Sequence, residues 1–306
     1  MDKSLYKISN YDKIDPFLMT VNSGSNHWMF LSSSGCLTAG REKAEFALFP
    51  YVTDDLLHRN AHFTGPITIV RIQKDNKDLI WEPFSPFRNN FAKERNLYKN
   101  SLGDIVAFEE INNTLGLTFL YDWRASEKYG FVRKSSLFNN NKKELKIEII
   151  DGLRNILPAG VELRTQQEMS NLVNAYKVSE YNTDSYCALY YLNALLMDNP
   201  DPAESLFANI VWSYYSNDNK NSINEKSISH FIKVKQFKED HFLKGKSGSY
   251  LTYIKENLVP EKDMHWYTVA DVQKSQTEIS KIISELRNSS TIEKKLEDSI
   301  EHNHLT

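Results

Sequence analysis

Cysteine is nearly missing from this chain. Cys36 and Cys187 lie far apart and without metal-ligand spacing, which leaves two ordinary buried thiols as the expected reading. A charge excess of either sign is missing too: 37 basic against 40 acidic residues give a net charge of −3. Without a basic face to displace counterions from phosphates, nucleic acid is excluded as a partner. No apolar run approaches the roughly 18 residues a membrane span needs. Met1-Asp2-Lys3-Ser4-Leu5-Tyr6-Lys7 contains no apolar stretch of the secretory type, so the chain reads as cytoplasmic with no membrane partner. Gly-rich phosphate loops, HExxH and CxxC pairs and the GxSxG elbow are also absent. Their absence lowers the odds of a complete active site, and no cofactor or metal is expected.

Aromatic residues are abundant: 16 Phe, 16 Tyr and 5 Trp make 12% of 306 residues. Such side chains suit a pleated, half-buried surface, and the length allows one large β domain or two ordinary ones. Short apolar runs broken by turn residues fill the first half. Trp28–Leu31 follows a polar turn at 22–26, Ile67–Ile72 follows Gly65-Pro66, and Leu79–Trp81 stops at Pro83. Asp104–Ile111 and Leu115–Tyr121 flank Asn112-Asn113-Thr114, and Gly130–Phe138 runs into Asn139-Asn140-Asn141. Leu145, Ile147 and Ile149 alternate with Lys146 and Glu148, the period of a strand with one wet face. Hairpins this closely spaced predict a mainly β fold of antiparallel sheets.

Leu163 to Lys177 carries Met169, Leu172, Val173 and Tyr176 at helical spacing, which predicts an amphipathic helix. Strands are expected again over 186–197, after which Pro200-Asp201-Pro202 breaks the chain. An apolar run at 205–215, a loop at 216–227 and one more strand over His230–Phe237 follow. From Thr268, Val269, Val272, Gln276, Ile279, Ile282, Ile283 and Leu286 describe a helical stripe, and a second helix is expected over Ile292–Ile300. The expected division is a β domain over 1–267 and a helical linker over 268–306. The stripe must be buried, either back on the sandwich or in a following helical domain.

The densest polar and aromatic segment runs from Asn22 to His62. Asp54 and Asp55 offer carboxylates to a sugar's hydroxyls, but neighbours on an extended chain point apart. Thr53 and Asp54 opening a short helix is the weightier reading. His27, His58 and His62 have no metal-ligand spacing and read as structural histidines. Trp28 and Trp81 offer stacking faces to a sugar ring, though filling a sandwich core weighs more for Trp81. Arg124 would pair with Asp122 or cover Trp123.

Taken in order, Asn22-Ser23-Gly24-Ser25-Asn26-His27-Trp28, Leu37-Thr38-Ala39-Gly40-Arg41, Tyr51-Val52-Thr53-Asp54-Asp55 and Ile80-Trp81-Glu82-Pro83 resemble a known family. It is the N-terminal domain of cellobiose phosphorylase-like enzymes, of the glycoside hydrolase family 94 and 36 type. Two departures are the turn at Thr53-Asp54-Asp55 and the closing Trp81-Glu82-Pro83. The resemblance spans Pro16 to Ile283. It implies a galactose mutarotase-like super-sandwich of two antiparallel sheets, a helical linker and then an (α/α)6 barrel that carries the catalytic groups. On that reading the chain is a non-catalytic carbohydrate-enzyme domain with no catalytic residue of its own. Its implied partners are an oligosaccharide or glycoside, phosphate in the full enzyme, the catalytic barrel and a second copy in a homodimer. Candidate substrate contacts are Trp28, Arg41, Asp54, Asp55 and Trp81. The alternatives are a free-standing carbohydrate-binding module using Trp28, Trp81 or Trp123, or an interaction protein docking through its C-terminal helix.

Overall fold

The computed structural model describes residues 5–74, 77–87, 91–194, 205–287 and 291–305. Within them the antiparallel hairpins assemble into three sheets. The largest runs β1 (Leu5–Ser9), β7 (Lys93–Asn100), β8 (Val106–Asn112), β9 (Leu117–Ser126), β10 (Gly130–Asn139), β18 (Asp263–Ser275), β14 (Phe207–Tyr214), β13 (Cys187–Leu192), β12 (Lys177–Asn182) and β16 (Phe242–Lys244). The second runs β15 (Asn219–Ser222), β17 (Gly248–Leu258), β11 (Leu145–Ile156), β5 (Gly65–Lys74) and β6 (Lys77–Trp81). A small third sheet joins β2 (Leu18–Thr20), β3 (His27–Ser32) and β4 (Leu37–Arg41).

Period-two alternation explains how the layers stack. Phe119, Tyr121 and Trp266 from the ten-stranded sheet meet Val70, Ile72, Ile149 and Ile254 from the five-stranded sheet in one apolar core. A polar staple crosses that core. Arg133 of β10 donates through Nη1 to both Asp151 carboxylate oxygens at 2.7 and 2.6 Å, and both side chains are fully buried. Trp266 Nε1 and Thr68 Oγ1 also donate to Asp151, so the carboxylate is fully engaged. The mainly β fold with antiparallel sheets and C-terminal helices is therefore the one the hairpin spacing predicts.

Helices cover both outer faces. On the five-stranded sheet, Phe231 of α4 (Lys226–Val234) seals Ile67, Ile69, Ile150 and Leu251. On the ten-stranded sheet, α5 (Gln276–Arg287) and α6 (Ile292–Leu305) lay Ile282, Leu286, Ile292, Leu296 and Ile300 over Val132, Ile210, Trp212 and Val269. The helical stripe is thus buried on the sandwich itself. The helix expected over 163–177 is present as α2 (Leu163–Glu168) and α3 (Ser170–Tyr176).

Three expectations are corrected. His230–Phe237 is not a strand, because Ile228, Phe231 and Ile232 sit at helical spacing and α4 ends at Lys235 in the left-handed region, φ 62°. Residues 216–227 are not all loop, since β15 pairs with β17 there. The C-terminal helix starts at Gln276, eight residues later than expected, because Thr268–Ser275 completes β18. Val269 and Val272 fit helical spacing, but Val269 is paired in two ladders, with Val132 of β10 and Trp212 of β14, and the β14 ladder continues past Val272 to Lys274 and Ser275. Ser275 and Glu278 then form a reciprocal cap: Ser275 N donates to Glu278 Oε2 at 2.9 Å, and Glu278 N to Ser275 Oγ at 3.5 Å. The last part of the 186–197 strand and the 200–202 break lie outside the described residues.

Candidate functional site

Arg41 ends β4 and reaches across to β18. Its Nε and Nη2 donate to Asp271 Oδ1 and Oδ2 at 2.7 and 3.0 Å, Nη1 to Asn26 Oδ1 at 3.1 Å, and Nη2 to the Glu127 carbonyl at 2.8 Å. Lys274 joins the same buried carboxylate at 2.7 Å. This cluster ties the three-stranded sheet to the strand that feeds α5. His27 lies beside it, its Nδ1 2.7 Å from Ser25 Oγ. Burial, then the charges of Arg41 and Lys274, push the His27 pKa down to about 3, so the ring stays neutral.

Trp28 is half-buried on β3, edge-on to Tyr51 with ring centroids 5.5 Å apart. Its indole lies against Gly40, where an added Cβ would come within 2.4 Å of the ring. Asp54 and Asp55 occupy the first turn of α1 (Asp54–Arg59), the helix-start reading of the sequence. Thr53 Oγ1 donates to Asp55 Oδ1 at 2.6 Å, and that bond lowers the Asp55 pKa. Asp54 Oδ1 holds His58 Nε2 at 3.2 Å.

Trp81 is a core residue, as its apolar neighbours suggested. Its indole donates to Glu110 Oε1 at 2.7 Å, while Glu110 Oε2 accepts from Phe84 N and Arg95 Nε, each at 2.7 Å. Glu110 is completely buried, and this one carboxylate anchors the 82–87 loop, including Phe84 in the left-handed region at φ 64°. The five sequence candidates therefore do not form one constellation. Arg41 stands apart, while Asp54 and Trp81 meet indirectly, through His58 and the 82–87 loop, around one cavity.

That cavity measures about 460 Å³ and opens between the 82–87 loop, α1 and the turn at Ser33–Gly35. Arg133 and Arg154 form its floor with Thr68 and Tyr121, and Asp12, His58, His62 and Glu82 line it as well. Arg154 Nη1 and Nη2 donate to the carbonyls of His62 and Ala61 at 2.5 and 3.3 Å, which fixes the segment after α1. Phe87 at the mouth is 76% exposed and leans on His62 with ring centroids 4.4 Å apart. Arg133 and Arg154 escaped notice in the sequence, although a signal exists. Arg133 shares the parity of Phe131 and Leu137, so it stands on the core-facing side of its strand.

Among the described residues no helix is long and apolar enough to cross a membrane, and no group of three His, Cys, Asp or Glu side chains is placed to hold a metal. Cys36 and Cys187 are free and buried, each pushed by burial to a pKa of about 12.

No family model and no curated protein sequence matches the chain. Solved structures do align with it. A bacterial glucoamylase complexed with acarbose is 9% identical at a TM-score of 0.43, over 98% of this chain and 39% of that one. A putative kojibiose phosphorylase from the human microbiome is 11% identical at 0.40, over 72% and 25%. A GalM/aldose epimerase homologue from C. elegans is 9% identical at 0.44, over 86% of this chain and all of that one. The chain thus spans well under half the length of the first two.

Proposed function

We propose that this chain is a non-catalytic sandwich domain of a carbohydrate-active enzyme, of the glycoside phosphorylase or hydrolase type, that supports a catalytic helical barrel. The observation that carries this reading is the order of the architecture. An antiparallel sandwich of two large sheets and one small one passes through β18 into a capped helical pair, close to the sequence of parts that the resemblance at 22–28, 37–41, 51–55 and 80–83 implies. The Arg41–Asp271–Lys274 cluster and the packing of α5 and α6 make that junction stiff, which is what a platform holding a second domain needs.

A free-standing module that stacks sugars on exposed tryptophan is less well supported, because Trp81, Trp123, Trp212 and Trp266 are all fully buried. Docking of a partner through the C-terminal stripe is also less well supported, since the ten-stranded sheet already covers that stripe. The purified chain is expected to release no sugar or sugar phosphate from cellobiose or other β-glucosides, with or without phosphate. Turnover comparable to an ordinary enzyme, roughly 1–1,000 per second, would overturn the platform reading.

A further inference from the structure

We infer that the groove between the small three-stranded sheet and the helices α1 and α2 binds one pyranose ring of a neutral glycan. This goes beyond the platform reading and does not depend on it. Met29 and Leu31 take the core-facing positions of β3, which leaves Trp28 and Phe30 on the outer face of the small sheet. Leu18 of β2 and Phe30 line the groove from the sheet, and Leu57 of α1 and Leu163 of α2 line it from the helices. Its volume of about 310 Å³ lies at the lower end of the roughly 300–1,000 Å³ of small-molecule sites. Such sites are mostly apolar with a few polar groups. Here the polar groups are chiefly the Tyr51 phenol, the Thr53 hydroxyl and the Gln167 amide, with Asp54 the one charged side chain among the described residues that line it.

The lining selects the ligand. Phe30 and Tyr51 supply aromatic surface for the C–H side of a sugar ring. Thr53 gives its proton to Asp55, which leaves the Thr53 oxygen as an acceptor. Gln167 is exposed, and its amide both donates and accepts, as sugar hydroxyls do. With no cation in the lining, a carboxylate or phosphate finds no opposite charge. Choline is the competing ligand, because aromatic rings and a carboxylate also suit an ammonium group. It would make no use of the Thr53 hydroxyl or the Gln167 amide. The aromatic wall is in place before a ligand arrives. Trp28 lies against Gly40, with ring centroids 6.0 Å from Phe30 and 5.5 Å from Tyr51, and Leu57 N donates to the Thr53 carbonyl at 2.8 Å.

Calorimetric titration of the full chain tests the assignment, with cellotetraose, maltotetraose and mannotetraose as neutral probes and oligogalacturonate and choline as charged ones. At least one neutral glycan is expected to bind, and more tightly than either charged probe. Phe30→Leu keeps apolar bulk but removes the ring, and should weaken binding about fivefold to tenfold. Gln167→Ala, at an exposed helix position, should weaken it about threefold without moving the melting temperature, and so serves even if Phe30→Leu is less stable. The assignment falls if no neutral glycan binds, if oligogalacturonate or choline binds more tightly than every neutral one, or if both variants bind as the parent does. Absence of glycan binding would leave the platform reading standing, whereas turnover would remove that reading and leave the groove assignment intact.

Discussion

Arg41 and Arg154 are both strand arginines pressed into the sandwich, and they differ in what surrounds the guanidinium. Arg41 meets a buried carboxylate with two nitrogens and fills its remaining positions with Asn26 and the Glu127 carbonyl. Arg154 meets two carbonyls, leaves Nε without a partner and makes no ion pair among the described residues. Burial accordingly lowers the Arg154 pKa from its ordinary value. The first arrangement is what a structural joint needs. The second leaves a buried donor unmatched on a residue that lines a cavity, at some cost in stability. Satisfaction of hydrogen bonds and charge, more than burial, separates these two arginines.

Arg133 belongs to both kinds, and it carries the largest expected effect. Arg133→Met strands Asp151 as an unpaired buried charge and should cost about 3–5 kcal/mol, read by urea unfolding. A loss below about 1 kcal/mol would mean that Trp266 and Thr68 suffice to hold the carboxylate. Arg41→Met should cost less, about 1.5–3 kcal/mol, because Lys274 still serves Asp271. Arg154→Met should cost least of the three, at most about 1 kcal/mol, since it also removes an unmatched buried donor. Equal losses for Arg41 and Arg154 in the same unfolding assay would break the comparison.

The smallest effect at neutral pH concerns His27, which burial holds neutral beside Arg41. Its folded pKa, about 3, lies below the ordinary 6.5, so the unfolded chain binds the extra proton in between. Stability from this group is complete above pH 6.5 and is lost as pH falls from there toward 3. His27→Asn should therefore flatten the acid limb of a melting temperature–pH curve. An unchanged limb would show that the ring is solvated in the native state.

Much of the fold was legible because strands announce themselves locally. Leu145, Ile147 and Ile149 alternate, and polar turns such as 112–114 separate the runs. Local pattern failed where two periods fit the same residues. Val269 and Val272 sit three apart and suit a helix, and only the pairing of Val269 with both β10 and β14, with the β14 ladder running on to Ser275, decides for a strand. His230–Phe237 failed in the opposite sense, since Phe231 and Ile232 pack on the apolar outer face of the five-stranded sheet from a helix. The cavity was least legible. His58, Arg133 and Arg154 come from a helix and two strands distant in sequence, and no spacing rule links them. Trp81 and Asp54 drew attention for direct contact with a sugar, whereas their bonds to Glu110 and His58 give them positioning roles around the cavity.

The place of β18 in the ten-stranded sheet has a consequence for how the chain emerges from the ribosome. This strand, at 263–275, sits between β10 and β14. Until it is synthesised, the strands already made form two separate pieces, each ending in an open ladder of unpaired amides and carbonyls. Such edges invite pairing with other chains, and non-local closure of this kind is slow. From the synthesis of β12 at Lys177 until that of β18 at Asp263, the nascent protein therefore carries its largest sheet in two parts. The interval before β18 joins β10 to β14 is when it most needs protection from aggregation.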